Sequence, residues 1–230
     1  MKETLLAGLP ALDLTLTEQQ SDRLCRFGQL LLEKNQVMNL TAITEPQAVA
    51  QLHFLDCLAL LHAADFKHRK VIDVGCGAGF PGVPLAIGEP TMDLTLLDSL
   101  GKRMSWLAEI LPELGVQADC VTARAEEHVL TCREQFDIAT SRAVARLNVL
   151  CELCLPFVKV GGVFVAMKGL EAETETLEAS SAIAQLGGKV TKLYEYPVAG
   201  TVHRAVVIEK VKPTPARFPR RYNKIKQQPL

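Results

Sequence analysis

The chain has 230 residues, 48% of them hydrophobic, a mean hydropathy of +0.15 and a formal net charge of −1. That suffices for one sizeable α/β domain with an appendage. No apolar run reaches the roughly 18 residues needed to span a bilayer, and Lys2, Glu3, Pro10 and Asp13 give no signal-peptide pattern, so no membrane partner and a cytoplasmic location are expected. Seven cysteines, an odd count, fit reduced thiols better than a disulfide framework. Cys151 and Cys154 form a C-x-x-C with no second pair or nearby histidine, which reads as a helix face rather than zinc. No metal is expected.

Residues 1–16 read as a short irregular or helical lead. Thr17, with Gln20 three positions on, has the pattern of a capping box. Leu24, Phe27, Leu30 and Leu31 follow at helical spacing, which predicts a helix ending near Asn35. Thr44-Glu45-Pro46-Gln47 starts a second helix, with Pro46 at its first position and an extent to about His62. Between them, Asn39-Leu40-Thr41 offers polar atoms beside an apolar anchor, or is simply a helix-helix turn. His53 and Asp56 share a face of the second helix. They form either a substrate-orienting pair or a structural hydrogen bond.

From residue 70 strands and helices alternate. Strands are expected at 70–74, 92–97, 117–121, 136–140, 161–167, 188–196 and 202–210, and helices near 83–87, 101–111, 145–158 and 171–186. Such alternation implies a parallel sheet covered on both faces. The last two strands lack a helix between them, so Val198-Ala199-Gly200-Thr201 predicts an antiparallel hairpin. The organisation read from these patterns is an N-terminal helical extension (1–66), an α/β core (67–211) and a C-terminal tail (212–230) on or near the core. From residue 210 onward there are seven basic residues and no acid. A basic tail on an acidic body points to an anionic partner, or is a solvated segment.

The chemistry centres on Asp73-Val74-Gly75-Cys76-Gly77-Ala78-Gly79-Phe80-Pro81-Gly82. A buried strand feeding a Gly-rich turn is where open α/β sheets bind nucleotide-like ligands. The dinucleotide fingerprint G-x-G-x-x-G fails, because Phe80 stands at its sixth position. The G-x-G-x-G run, with an acid two residues before it, resembles motif I of class I S-adenosylmethionine (AdoMet) methyltransferases. That resemblance implies a Rossmann-like seven-stranded sheet with a terminal antiparallel hairpin.

At the next strand end, Asp98 can accept hydrogen bonds from both ribose hydroxyls of an adenosine, or cap the following helix. Lys102 and Arg103 open that helix, an unfavourable place for cations near the positive dipole end, which marks an RNA or cofactor contact or an exposed pair. After the third strand, Arg124-Ala125-Glu126 could read an adenine through backbone groups. After the fourth come Ser141-Arg142-Ala143. Neither the Asn/Asp-Pro-Pro-Tyr/Phe motif of amino-group methyltransferases nor the cysteine nucleophile of cytosine-C5 enzymes occurs there. Guanine N7 carries an in-plane lone pair and no proton, so its methylation needs positioning rather than a base.

Asn39-Leu40-Thr41, His53-x-x-Asp56, the Gly-rich stretch, Leu97-Asp98-Ser99-x-x-Lys102-Arg103, Arg124-Ala125-Glu126, Ser141-Arg142-Ala143 and Lys168-Gly169 occur together in this order. As a set they resemble the RsmG (GidB) family of bacterial 16S rRNA (guanine-N7)-methyltransferases, over about residues 35–230. The resemblance implies AdoMet as methyl donor, S-adenosyl-L-homocysteine as product, and 16S rRNA or the 30S particle as substrate. It places Gly75, Phe80, Ala125, Glu126 and Arg142 around the cofactor, with Asp73, Gly77, Gly79 and Asp98 expected there from class I geometry. Arg124, Arg142 and Arg204 are the candidates for RNA engagement or activity. Lys102, Arg103, Lys168, Arg217, Arg220 and Arg221 are candidates for RNA contact. A monomer is expected. The tail Thr214-Pro215-Ala216-Arg217-Phe218-Pro219-Arg220 also resembles the family's terminus, but Tyr222-Asn223 stand where many members have a glycine.

Overall fold

The computed structural model describes residues 1–142 and 145–230; Ala143 of the fourth-strand motif lies outside the described residues. Seven strands, β1 (Lys70–Val74), β2 (Asp93–Asp98), β3 (Ala118–Thr122), β4 (Phe136–Arg142), β5 (Val158–Lys168), β6 (Gly188–Val198) and β7 (Thr201–Lys210), form one sheet in the order β3-β2-β1-β4-β5-β7-β6. β1 to β5 pair in parallel, and β7 is antiparallel to both β5 and β6. β1 is central, and its residues from Val71 to Val74 are all buried, as a strand covered on both faces requires. Alternate residues feed two cores. Val71 joins the one beneath the N-terminal helices, and Ile72 joins the one on the opposite face.

All seven strands lie where the alternation predicted them. One helix it did not register, α7 (Ala125–Cys132), lies between β3 and β4. The others are α1 (Lys2–Gly8), α2 (Glu18–Met38), α3 (Pro46–Val49), α4 (Asp56–Leu58), α5 (Gly82–Gly88), α6 (Gly101–Ile110), α8 (Leu147–Cys154), α9 (Ala172–Glu178), α10 (Ser180–Gln185) and α11 (Tyr222–Gln227). At the start of α2 the capping box is formed in both directions. Gln20 N–H donates to Thr17 Oγ1 at 3.2 Å, and Thr17 N–H donates to Gln20 Oε1 at 2.9 Å. The helix overruns the expected Asn35 and stops at Asn39, whose φ of 49° is left-handed. Asn35 instead brackets the turn. Its Nδ2 donates to Thr41 O at 3.0 Å, and its Oδ1 accepts from Thr41 N–H at 2.9 Å.

The second helical run starts at Pro46 as expected, but it is not uniform. Ala50–Leu55 is π-helical, between α3 and α4, and Ala59–His62 closes as a 3₁₀ turn. Single π turns inside helices are frequent at functional sites, and this one carries His53. The N-terminal extension docks through aromatic contacts. The Phe27 ring lies 5.2 Å from Phe80, 6.0 Å from Phe54 and 6.4 Å from Trp106, within the range of favourable ring pairs. Through Phe80 the extension therefore touches the Gly-rich turn itself.

The C-terminal segment is also packed. Arg133 donates to the carbonyls of Thr214 and Phe218, each at 2.7 Å, and of Pro215 at 3.1 Å. Phe218 and Ile225 are buried. Glu152, with no exposed surface, accepts from the backbone N–H of Arg220 at 2.8 Å and from its guanidinium at 2.5–3.1 Å.

Candidate active site

A cavity of about 470 Å³ opens at the carboxyl ends of β1 to β4, where an open α/β sheet binds its ligand. The Gly-rich turn forms its floor. Gly75 N–H and Cys76 N–H donate to Leu97 O at 2.8 and 3.1 Å, and Gly77 N–H donates to Asp98 Oδ2 at 3.0 Å. Gly77 has φ +57°, and a Cβ there would meet no protein atom closer than 3.9 Å. The space above Gly77 is therefore ligand space, kept open by the missing side chain.

Two residues expected at the cofactor act beneath it instead. Asp73 is fully buried and does not line the cavity. Its Oδ2 accepts from Gly82 N–H at 2.8 Å, which ties the far end of the turn back to β1. Its Oδ1 is buried with no hydrogen-bond partner among the described residues, and burial pushes its pKa up to about 7. Gly79, at φ +96°, also lies outside the lining. A Cβ there would approach Val83 Cγ2 to 2.7 Å, so the glycine serves a tight turn against α5.

Gly75, Gly77, Phe80, Asp98, Ala125, Glu126 and Arg142 do line the cavity, together with Arg103 and Arg124. Asp98 already accepts from Gly77 N–H and, through Oδ1, from Leu100 N–H at 2.8 Å. A carboxylate has about four acceptor sites, so two remain for a diol. Arg103 stands 3.9 Å from Asp98, and Lys102 is exposed beside it.

At the β4 end, Arg142 donates to His53 Nδ1 at 3.0 Å and lies 4.7 Å over the Phe80 ring. His53 stacks on the same ring at 4.5 Å, and its Nε2 is 2.9 Å from Thr41 Oγ1. Burial, then the Arg142 charge, lowers the His53 pKa to about 4. The His53–Asp56 pair offered by sequence spacing does not hydrogen-bond directly; Arg142 links the two, its Nη1 standing 3.0 Å from His53 Nδ1 and 3.9 Å from Asp56 Oδ2. Asp56 accepts from Tyr196 Oη at 3.0 Å and pairs with His203 Nδ1 at 2.8 Å, which raises the His203 pKa. Ser141 faces inward and donates to Val74 O at 2.7 Å.

Several candidate RNA contacts are engaged within the fold. Arg220 is held by Glu152. Lys168, with 6% of its side chain exposed, donates to Ala145 O at 2.6 Å and pairs with Glu175 at 2.7 Å. Arg204 donates to Glu195 at 2.7 Å and to Leu170 O at 3.1 Å, away from the cavity lining. Arg217 and Arg221 are exposed. One lining residue was not among those expected at the cavity. Tyr222, at the start of α11, lines the cavity with Arg124 5.4 Å over its ring. No local pattern signals this, since it depends on the Arg220 anchor that folds the tail back. All seven cysteines are free, and no group of metal-ligating side chains occurs among the described residues.

This sheet order, with a Gly-rich turn after β1 and an acid after β2, defines the class I methyltransferase fold. Solved structures agree. A SAM-dependent methyltransferase from Aquifex aeolicus superposes with a TM-score of 0.57 at 15% identity, over 73% of this chain and 94% of that one. A methyltransferase from Pyrococcus furiosus superposes with a TM-score of 0.56 at 13% identity, over 84% and 100%. The sequence narrows the class to one family. Residues 7–204 match the GidB family, described as rRNA small subunit methyltransferase G. The chain is 45% identical to the ribosomal RNA small subunit methyltransferase G of Alkaliphilus oremlandii, over all of this chain and 99% of that protein. It is 43% identical to the enzyme of that name from Clostridium perfringens, over 93% and 92%. The chain belongs to this family.

Proposed function

We propose that the protein is an AdoMet-dependent methyltransferase that methylates guanine N7 in small-subunit ribosomal RNA. Family membership supports the reaction class and the RNA. The observation that carries the choice of atom is the β4 end of the cavity. Among the described residues there, no side chain is poised as a general base. The Nδ1 lone pair of His53 is taken by Arg142, and Cys57, whose Sγ is 3.9 Å from Arg142, is buried with its pKa pushed far up. An amino group would need its proton managed and cytosine C5 would need a nucleophile. N7 needs neither.

The cavity suits an adenosine-bearing cofactor by its donor set. Asp98 offers the ribose diol its spare acceptor sites, the backbone at Ala125 and Glu126 faces the place of the adenine, and the gap above Gly77 admits the chain between. When bound, AdoMet supplies a methyl group on a sulfonium, already activated as an electrophile. The protein's residues then orient. With adenosine over β2 and β3, the opposite end of the cavity lies over β1 and β4. There Phe80, held between Phe27 and the His53 ring, walls off water, and Arg142 is fixed by His53 and Leu52 O. Lys102, Arg217 and Arg221 remain exposed for phosphate contacts, which position RNA without choosing the base.

The test is genetic. A strain lacking this protein should lose one N7-methylguanosine from its 16S rRNA. The wild-type chain should restore it, and Asp98→Ala should not. An unchanged methylation pattern in the deletion strain sinks the proposal.

A further inference from the structure

We infer that Thr41 is a specificity-determining residue that reads O6 of the target guanine through a hydroxyl proton held facing the acceptor end of the cavity. The inference rests on the function proposed above and follows from counting donors and acceptors.

Arg142 is always a donor. Its Nη1 is 3.0 Å from His53 Nδ1, so Nδ1 must present its lone pair. The ring is neutral near pH 7, because burial and Arg142 depress its pKa to about 4. A neutral imidazole without a proton on Nδ1 carries it on Nε2. That proton is donated to Thr41 Oγ1, 2.9 Å away. A second donor, Ile43 N–H, reaches the same oxygen at 3.0 Å. Both lone pairs of the hydroxyl are then occupied, and its own hydrogen has no acceptor among the described residues. Thr41 lines the cavity beside His53, Phe80 and Arg142. Its backbone is clamped by the two hydrogen bonds to Asn35. The remaining proton is therefore a fixed donor available to whatever occupies this end.

The chemistry it selects follows. For N7 to meet the methyl group, the base must present its major-groove edge. The neighbour of N7 on that edge is O6, an acceptor, in guanine and the N6 amino group, a donor, in adenine. A hydroxyl whose acceptor capacity is exhausted can pair with O6 and has nothing to offer N6. Discrimination against a missing partner is strong when a buried polar group is left unpaired. Arg142, through His53, would thus set the polarity of Thr41 without touching the base.

The test combines a protein change with a base change. Small-subunit particles are reconstituted with 16S rRNA carrying guanine or 2-aminopurine, which lacks O6 but keeps N7, at the methylated position. Methyl transfer is measured as kcat/KM for wild type, Thr41→Val and Thr41→Ser, with AdoMet affinity measured separately by calorimetry. Wild type and Thr41→Ser should favour guanine roughly tenfold or more, the scale of one lost hydrogen bond with a group left unpaired. Thr41→Val should lose that preference, within about threefold, and bind AdoMet as wild type does. If Thr41→Val melts early, Thr41→Ala, whose smaller side chain admits water to His53 and Ile43, gives the same comparison. An undiminished guanine preference in the Val or Ala variant overturns the inference. So does weakened AdoMet binding with the preference intact, which would assign the hydroxyl to the cofactor's carboxylate. No transfer by wild type to the guanine particle would instead be a failure of the proposed function.

Discussion

The Glu152–Arg220 pair decides whether the basic tail is an RNA arm or a wall of the active site. Glu152 has no exposed surface, and the Arg220 side chain is 17% exposed. The carboxylate accepts from both the backbone and the guanidinium of Arg220. Removing one partner of a buried pair strands the other charge, at a cost of about 3 kcal/mol. For a domain of this size each kcal/mol shifts Tm by roughly 2–4 °C, so Glu152→Ala should melt about 6–12 °C below wild type. Arg220→Ala should lose a similar amount, because it leaves the carboxylate buried and unpaired. The double variant should lose far less than the sum of the two, since residues in one network do not act additively. The assay is thermal unfolding by calorimetry across the four proteins. Glu152→Ala should also weaken AdoMet binding, because Tyr222 follows the anchor by two residues and lines the cavity. The reasoning is refuted if both single variants melt within 2 °C of wild type (about 1 kcal/mol or less). It is equally refuted if Arg220→Ala only reduces the salt sensitivity of rRNA binding, as a lost phosphate contact would.

Three further outcomes are expected. Asp98→Asn keeps the shape but exchanges one acceptor oxygen for a donor, and should weaken AdoMet binding roughly tenfold or more by calorimetry; unchanged affinity would remove Asp98 from the ribose site. His53 has a depressed pKa, about 4, so below 6.5 the unfolded chain takes up the proton first. Its contribution to stability is full above pH 6.5 and is lost as pH falls towards 4, and Tm measured against pH should decline less steeply in His53→Gln. Asp73 has the opposite sign. Its pKa is raised to about 7, so the folded chain holds the proton more tightly between about 4 and 7, and stability falls as pH rises through that window. Asp73→Asn should flatten that part of the profile.

The sheet was legible because most strands announce themselves locally as apolar runs bounded by turn residues, while β6 shows as an alternating polar–apolar stretch. The Val198–Thr201 hairpin was legible because no helix-forming length separates the last two strands. Helix α7 was not, because Ala125–Cys132 is short and only Val129 in it is buried. The cavity floor was read correctly as a motif but not in its division of labour. Sequence cannot distinguish a glycine that leaves room for ligand, as Gly77 does, from one that leaves room for Val83, as Gly79 does. Nor can it say that the Asp73 carboxylate turns inward to Gly82. The polar networks were the least legible. His53 meets Arg142 and Thr41, while Asp56 meets Tyr196 and His203, across separations of up to 147 residues. Spacing within one helix offered His53 and Asp56 as a direct pair, whereas they are joined through Arg142. Charge alone left the tail as either an RNA arm or a solvated segment on or near the core; buried Phe218 and Ile225 hold it to the core.

The most direct measurement of the central claim is methyl transfer from labelled AdoMet to ribosomal substrate from a strain lacking this protein. The 30S particle and naked 16S rRNA would be compared, and the labelled nucleoside identified by mass spectrometry. The account predicts label in N7-methylguanosine, at a single position of 16S rRNA. Label in any other nucleoside, or no label in either substrate from protein shown to bind AdoMet, would contradict it.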